Sequence, residues 1–231
     1  MVGSMKSEAV TISVAGAETV SGLWLAPPDS RACLVFAHGA GAGMAHKWMT
    51  AVADGLAARQ IATLRYQFPY MERGGKRVDP PKVAHAAVRA AVAAAKERFQ
   101  EEPLFAGGKS FGGRMTSQAQ ALEPLRNVQG LIFFGFPLHP AGTPSAERAA
   151  HLASVAIPML FLQGTHDALA DPELLGPVVS QLGRRATLKL FSDADHSFHV
   201  PAKSGRKDPE VLRELLDCAA AWMTDERTKP Q

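Results

Sequence analysis

Two kinds of apolar pattern alternate along the chain. Continuous apolar runs occur at residues 32–37, 61–66, 104–107, 128–136, 158–163 and 186–191, the pattern of strands buried on both faces. Between them, residues 47–59, 81–99, 111–122, 145–154, 171–182 and 208–223 have helical patterning. Two earlier segments, 9–14 and 22–26, are short, β-branched or bulky, and separated by Gly16, which predicts an antiparallel edge pair ended by Pro27 and Pro28. Asp171-Pro172 and Asp208-Pro209 each read as an N-cap followed by proline at the first helical position. Alternation of this kind predicts an α/β fold: a mostly parallel central sheet of about eight strands, helices on both faces and right-handed crossovers.

Length and composition narrow this picture. A chain of 231 residues, 46% apolar and 20% charged, suits one domain, expected over residues 5–225. Met1 to Ser4 read as an expression remnant before a second methionine, and residues 226–231 as a polar tail. No apolar run approaches the ~18 residues of a membrane span, so no membrane role is expected. The 25 basic and 22 acidic residues are interspersed, which argues against a nucleic-acid partner. Cys33 and Cys218 stand far apart with no metal-ligand spacing, so neither disulfide, metal nor cofactor is expected, and a reducing cytoplasm is the natural setting.

The chemistry concentrates in Gly108-Lys109-Ser110-Phe111-Gly112, a G-x-S-x-G placed between a predicted strand and a predicted helix. There the glycines permit a tight turn that exposes a serine hydroxyl. A phosphate-loop reading of Gly108-Lys109-Ser110 fails because its first glycine position is Pro103 and the intervening residues are strand. A nucleophilic serine needs a base and a group to orient that base. Asp167 follows the seventh predicted strand and His196 the eighth, each in the loop at the strand's C-terminal end. His199 is the rival base. Asp171 is the rival acid but has a sufficient role as a helix cap, while Asp193 and Asp195 suit turn formation. His166 reads as a solvated loop residue, Cys33 as packing, and Lys109 as paired or snorkelling behind the elbow.

These features together resemble the α/β-hydrolase superfamily, over nearly the whole chain from about Ala9 to Met223. Within it the sequence is similar to a small capless branch related to dienelactone hydrolases, carried by His38-Gly39-Ala40-Gly41, Arg65-Tyr66-Gln67-Phe68-Pro69-Tyr70 and the elbow through Gly113-Arg114. The resemblance implies a Ser110–His196–Asp167 triad in the chain order Ser, Asp, His. Acyl transfer also needs oxyanion donors, expected from the backbone N–H groups of Phe111 and Ala40, with His38 bracing that turn. The segment 137–145 is too short for a helical lid, so an open site is expected. Phe68, Tyr70, Phe111, Phe136, Leu138 and Phe198 are expected to make its walls apolar and to favour a small or medium carboxylic ester as substrate. Basic loops at 73–77 and 203–207 fall at the same rim and read either as hydrated charges or as an attraction for anionic esters. The competing reading is a non-catalytic interaction module, since some relatives of this fold serve in complexes.

Overall fold

The computed structural model describes residues 5–15, 18–100 and 103–225; residues 1–4 and 226–231, expected to be a remnant and a polar tail, lie outside them, as does Gly16. Eight strands among the described residues form one sheet: β1 (Glu8–Val14), β2 (Glu18–Leu25), β3 (Ala32–Ala37), β4 (Ile61–Tyr66), β5 (Leu104–Lys109), β6 (Val128–Phe134), β7 (Met159–Gly164) and β8 (Ala186–Phe191). Their order is β1-β2-β4-β3-β5-β6-β7-β8. β1 and β2 are antiparallel, and β2 joins β4 antiparallel; the remaining pairs are parallel.

Alternate residues of the central strands feed two separate cores. On β3, Cys33, Val35 and Ala37 face α3 (Pro81–Arg98), α4 (Phe111–Leu122) and α5 (Pro172–Leu182), whereas Ala32, Leu34 and Phe36 face α1 (Lys47–Ala57) and α6 (Asp208–Thr224). This is why β3, β4 and β7 are buried at every position and read as continuous apolar runs. On α3, Ala84, Ala87, Val88, Ala91, Val92 and Ala95 form the single buried stripe, at helical spacing. Each large apolar side chain so buried contributes roughly 1.5–3 kcal/mol.

Three local expectations are corrected. β8 is an edge strand, half-buried or exposed at every position but its last, Phe191, with Leu190 41% exposed, because among the described residues no further strand pairs with its outer edge. The helix expected over 145–154 is a 3-10 segment, Glu147–Ser154. Asp171 caps α5 by accepting from the Glu173 N–H at 2.9 Å, but Asp208 is already inside α6. Its carboxylate instead accepts from the Val200 N–H, and the first turn is closed by Glu210 accepting from the Lys207 N–H.

β3 leads to β4 on one side while β5 lies on the other. Strand order therefore reverses at β3/β5, and in open parallel sheets the crevice beyond such a reversal is where ligands bind. No helix among the described residues is long and apolar enough to cross a membrane.

Candidate active site

β5 passes into α4 (Phe111–Leu122) through one residue, Ser110, held at φ 50° and ψ −116°. A non-glycine residue in that region costs roughly 1–3 kcal/mol and persists only where the surroundings force it. The forcing comes from backbone contact. A Cβ on Gly108 would stand 2.5 Å from the Ala37 carbonyl oxygen, and one on Gly112 would stand 2.5 Å from that of His38. Only glycine lets β3 and the start of α4 approach this closely, and the resulting turn lifts the Ser110 side chain onto the rim.

His196 and Asp167 reach the same place from the loops after β8 and β7. The His196 Nε2 lies 2.8 Å from Ser110 Oγ, and His196 Nδ1 lies 2.7 Å from Asp167 Oδ2. A carboxylate only accepts, so Nδ1 carries the proton and Nε2 is left bare toward the serine hydroxyl. Asp167 is 4% exposed and receives two further donors, the Leu169 N–H at 2.8 Å and the Gln163 side-chain amide. Gln163 is itself fixed by its Oε1 accepting from the Phe136 N–H at 2.9 Å. Sequence reading did not single out Gln163; the available signal was a lone polar residue inside the apolar run of β7.

The rivals are placed elsewhere. His199 pairs with Asp208 at 2.8 Å on the exposed side of its loop, and Asp171 is occupied as the α5 cap. Asp195 shapes the loop, its Oδ1 accepting from the N–H groups of Ser197 and His199. His166 stands exposed, 3.8 Å from Asp193.

The turn between β3 and α1 is pinned mainly by the segment after β4. His38 Nδ1–H donates to the Gly39 carbonyl at 2.8 Å, and its Nε2 accepts from the Phe68 N–H at 3.0 Å. These two partners fix a neutral imidazole, and burial pulls its pKa down to about 4. Gln67 Oε1 accepts from Met44 N–H at 2.9 Å, Tyr70 Oη accepts from Gly41 N–H at 3.3 Å, and the Arg65 guanidinium donates to the Met44 carbonyl at 3.2 Å. The Arg65-to-Tyr70 run thus acts as a brace for the glycine-rich turn. The Ala40 N–H makes no hydrogen bond among the described residues. Phe111 is the first residue of α4, whose N–H has no intrahelical acceptor.

The expected apolar walls are corrected. Phe68, Phe136 and Leu138 are 0% exposed, Tyr70 2%, Phe198 4% and Phe111 7%. Phe68 packs edge-on against His38 and Phe111, and Phe136 against Phe133 and Phe161, so these rings form a supporting layer under the rim. Phe198 departs furthest. With φ at 63° its ring turns to the α1 face and stacks on Trp48 at 6.1 Å. In the basic loops, Arg73 pairs with Glu18 and Asp79, and Arg206 with Glu214. No group of three or more His, Cys, Asp or Glu among the described residues is arranged to hold a metal ion.

Solved structures carry the same architecture. A dienelactone hydrolase from Anabaena variabilis superposes with a TM-score of 0.76 at 21% identity, covering 95% of this chain and 97% of that one. An α/β serine hydrolase without a lid from Xanthomonas campestris gives 0.73 at 23% identity, covering 98% and 96%. An α/β serine hydrolase homologue from Coxiella burnetii gives 0.74 at 23% identity, covering 93% and 98%. At these identities the likeness is one of fold, and it extends over whole chains with no inserted lid. The family model of the alpha/beta hydrolase domain matches residues 30–224, from just before β3 to the end of α6. With the elbow, the sheet order and that match in agreement, the chain belongs to the α/β-hydrolase family.

Proposed function

We propose that the protein is a serine esterase that cleaves small or medium carboxylic esters, or thioesters, through an acyl-enzyme on Ser110. The observation that carries this reading is the unbroken chain Ser110 Oγ to His196 Nε2 at 2.8 Å and His196 Nδ1 to Asp167 Oδ2 at 2.7 Å. As Ser110 Oγ attacks the ester carbonyl, its proton passes to His196 Nε2, and the imidazolium that forms is stabilised by Asp167. The carbonyl oxygen becomes an oxyanion, which the N–H groups of Ala40 and Phe111 are proposed to receive. Collapse expels the alcohol or thiol, which takes the proton from Nε2. Water, deprotonated by the same nitrogen, then releases the acid and restores Ser110.

The absence of an inserted lid favours substrates short enough to react on an open rim. Relatives of this fold include a dienelactone hydrolase and an esterase domain from Rhodothermus marinus, which is consistent with ester-type chemistry. The test is hydrolysis of nitrophenyl acetate and butyrate by the wild type and by Ser110→Ala. Turnover that drops by up to about 10⁶-fold in the variant supports the reading. Equal, background-level rates for both would assign the chain to the non-catalytic interaction class instead.

A further inference from the structure

We infer that Lys109 is a positioning residue for the base: its ammonium ties the backbone of the loop after β8 to the nucleophile elbow, and so holds the His196 ring in line with Ser110 Oγ. The inference rests on the esterase reading and concerns the same site.

Lys109 ends β5, directly before the nucleophile. Successive strand residues point to opposite faces, and its side chain runs toward the α1 side, away from the serine. There Nζ donates a hydrogen bond to the His196 main-chain carbonyl, with the rings of Trp48 and Phe198 at 5.8 and 5.5 Å from it. A Cβ placed on Gly135 would lie 2.9 Å from Lys109 Nζ and 3.4 Å from His196 Cε1 and Nδ1, so ammonium and imidazole share the space left open by that glycine.

An ion pair does not account for this arrangement, because the hydrogen-bond acceptor is a carbonyl and not a carboxylate. Burying an ammonium is costly; a methionine would fill the same volume without that cost. What the ammonium adds is a charge-assisted, directed bond to the residue whose ring must stay aligned. The loop needs such a tie. It holds Asp193 and Phe198 at φ 59° and 63°, a region disfavoured for residues with side chains. Its other hydrogen bonds are internal, through Asp195, lead to the end of β7, through the Asp193 N–H to Thr165 Oγ1 and the His166 N–H to the Ala194 carbonyl, or lead to α6, where Asp208 pairs with His199 and accepts from the Val200 N–H. Lys109 supplies a tie from its main chain to β5.

The groups facing the ammonium are Asp167 from the loop after β7 and Asp195 and His196 from the loop after β8; α1 presents the Trp48 ring. Desolvation pulls the Lys109 pKa down to about 8, against the opposing charges of Asp167 and Asp195. Below that pH the charged tie is intact, and above it a neutral amine leaves a weaker bond.

The experiment compares wild type, Lys109→Met and Lys109→Arg in nitrophenyl butyrate hydrolysis from pH 6.5 to 9.5, with near-UV circular dichroism as the check on folding. Fluorophosphonate labelling rates are measured in parallel. Lys109→Met is expected to lose about 10²-fold in kcat, as for a sub-ångström to ångström misplacement of a catalytic group, with KM within about threefold. The wild-type rate is expected to fall above pH 8. That fall should vanish in Lys109→Arg, whose cation does not titrate in this range, and Lys109→Arg should regain part of the lost kcat. Wild-type kcat and labelling in Lys109→Met, or a fall above pH 8 that persists in both variants, overturns the inference. If Lys109→Met does not fold, the pH profile of Lys109→Arg decides alone. A wild type that is neither active nor labelled would sink the esterase reading instead.

Discussion

Replacing Asp167 by Asn tests the site through a change of a single polar atom. The Asp167 carboxylate receives donors from three directions: His196 Nδ1 at 2.7 Å, the Leu169 N–H at 2.8 Å and the Gln163 amide. An asparagine amide has one acceptor atom and one donor atom. With its oxygen on Leu169, its NH₂ faces two donors; with its oxygen toward His196 and Gln163, its NH₂ faces the Leu169 N–H. The first arrangement is relieved only if His196 moves its proton to Nε2, where it points at Ser110 and the base is lost. That wrong-tautomer state costs about 10⁴-fold in kcat, which corresponds to about 5.5 kcal/mol of barrier. The second arrangement leaves a buried amide donor unsatisfied and costs about 1–3 kcal/mol of stability. Steady-state kinetics with nitrophenyl butyrate, paired with urea denaturation, measures both. A variant within tenfold of wild-type kcat, at unchanged stability, would refute the claim that Asp167 orients the base.

Other expectations follow from particular contacts. Gln163→Leu removes one restraint on Asp167 and the acceptor for the buried Phe136 N–H; it is expected to lower stability by about 1–3 kcal/mol and to reduce kcat, read by thermal melting and ester hydrolysis. Gly112→Ala would press a Cβ to 2.5 Å from the His38 carbonyl oxygen, a backbone atom that cannot swing aside, so loss of soluble folded protein is expected. Stability should also depend on pH through His38, whose folded pKa of about 4 lies below its ordinary value of 6.5. The unfolded chain then binds a proton that the folded one does not. Stability is full above about 6.5, declines as pH falls toward 4, and loses no more from this group below that. Denaturation midpoints across pH 4–7 should show the slope, and His38→Gln should lessen it, leaving the share of His151, whose pKa burial likewise pulls down to about 4.

Much of the architecture is legible in the chain for a simple reason. Strands covered on both faces, such as β3 and β7, need apolar residues at every position, and the elbow needs glycine at 108 and 112 because neighbouring backbone occupies the Cβ positions. Side-chain direction beyond the ends of the strands is different. Phe198 sits two residues past His196, and a positive φ, which nothing in its letter announces, sends its ring to the α1 face. The apolar residues Phe68, Phe136 and Leu138 do follow strand ends, but whether such a residue lines a cleft or supports it depends on which loops fold over it. The tie between Lys109 and the His196 carbonyl joins residues 87 apart, and main-chain acceptors leave no mark in sequence.

The most direct measurement is mass-spectrometric mapping of a fluorophosphonate adduct on the folded protein. Attack by an activated serine displaces fluoride and leaves the phosphonate on that oxygen alone, so the account calls for stoichiometric modification of the peptide containing Ser110, and for its loss in His196→Ala. An unmodified Ser110, or labelling that persists at full rate without the imidazole, would contradict it.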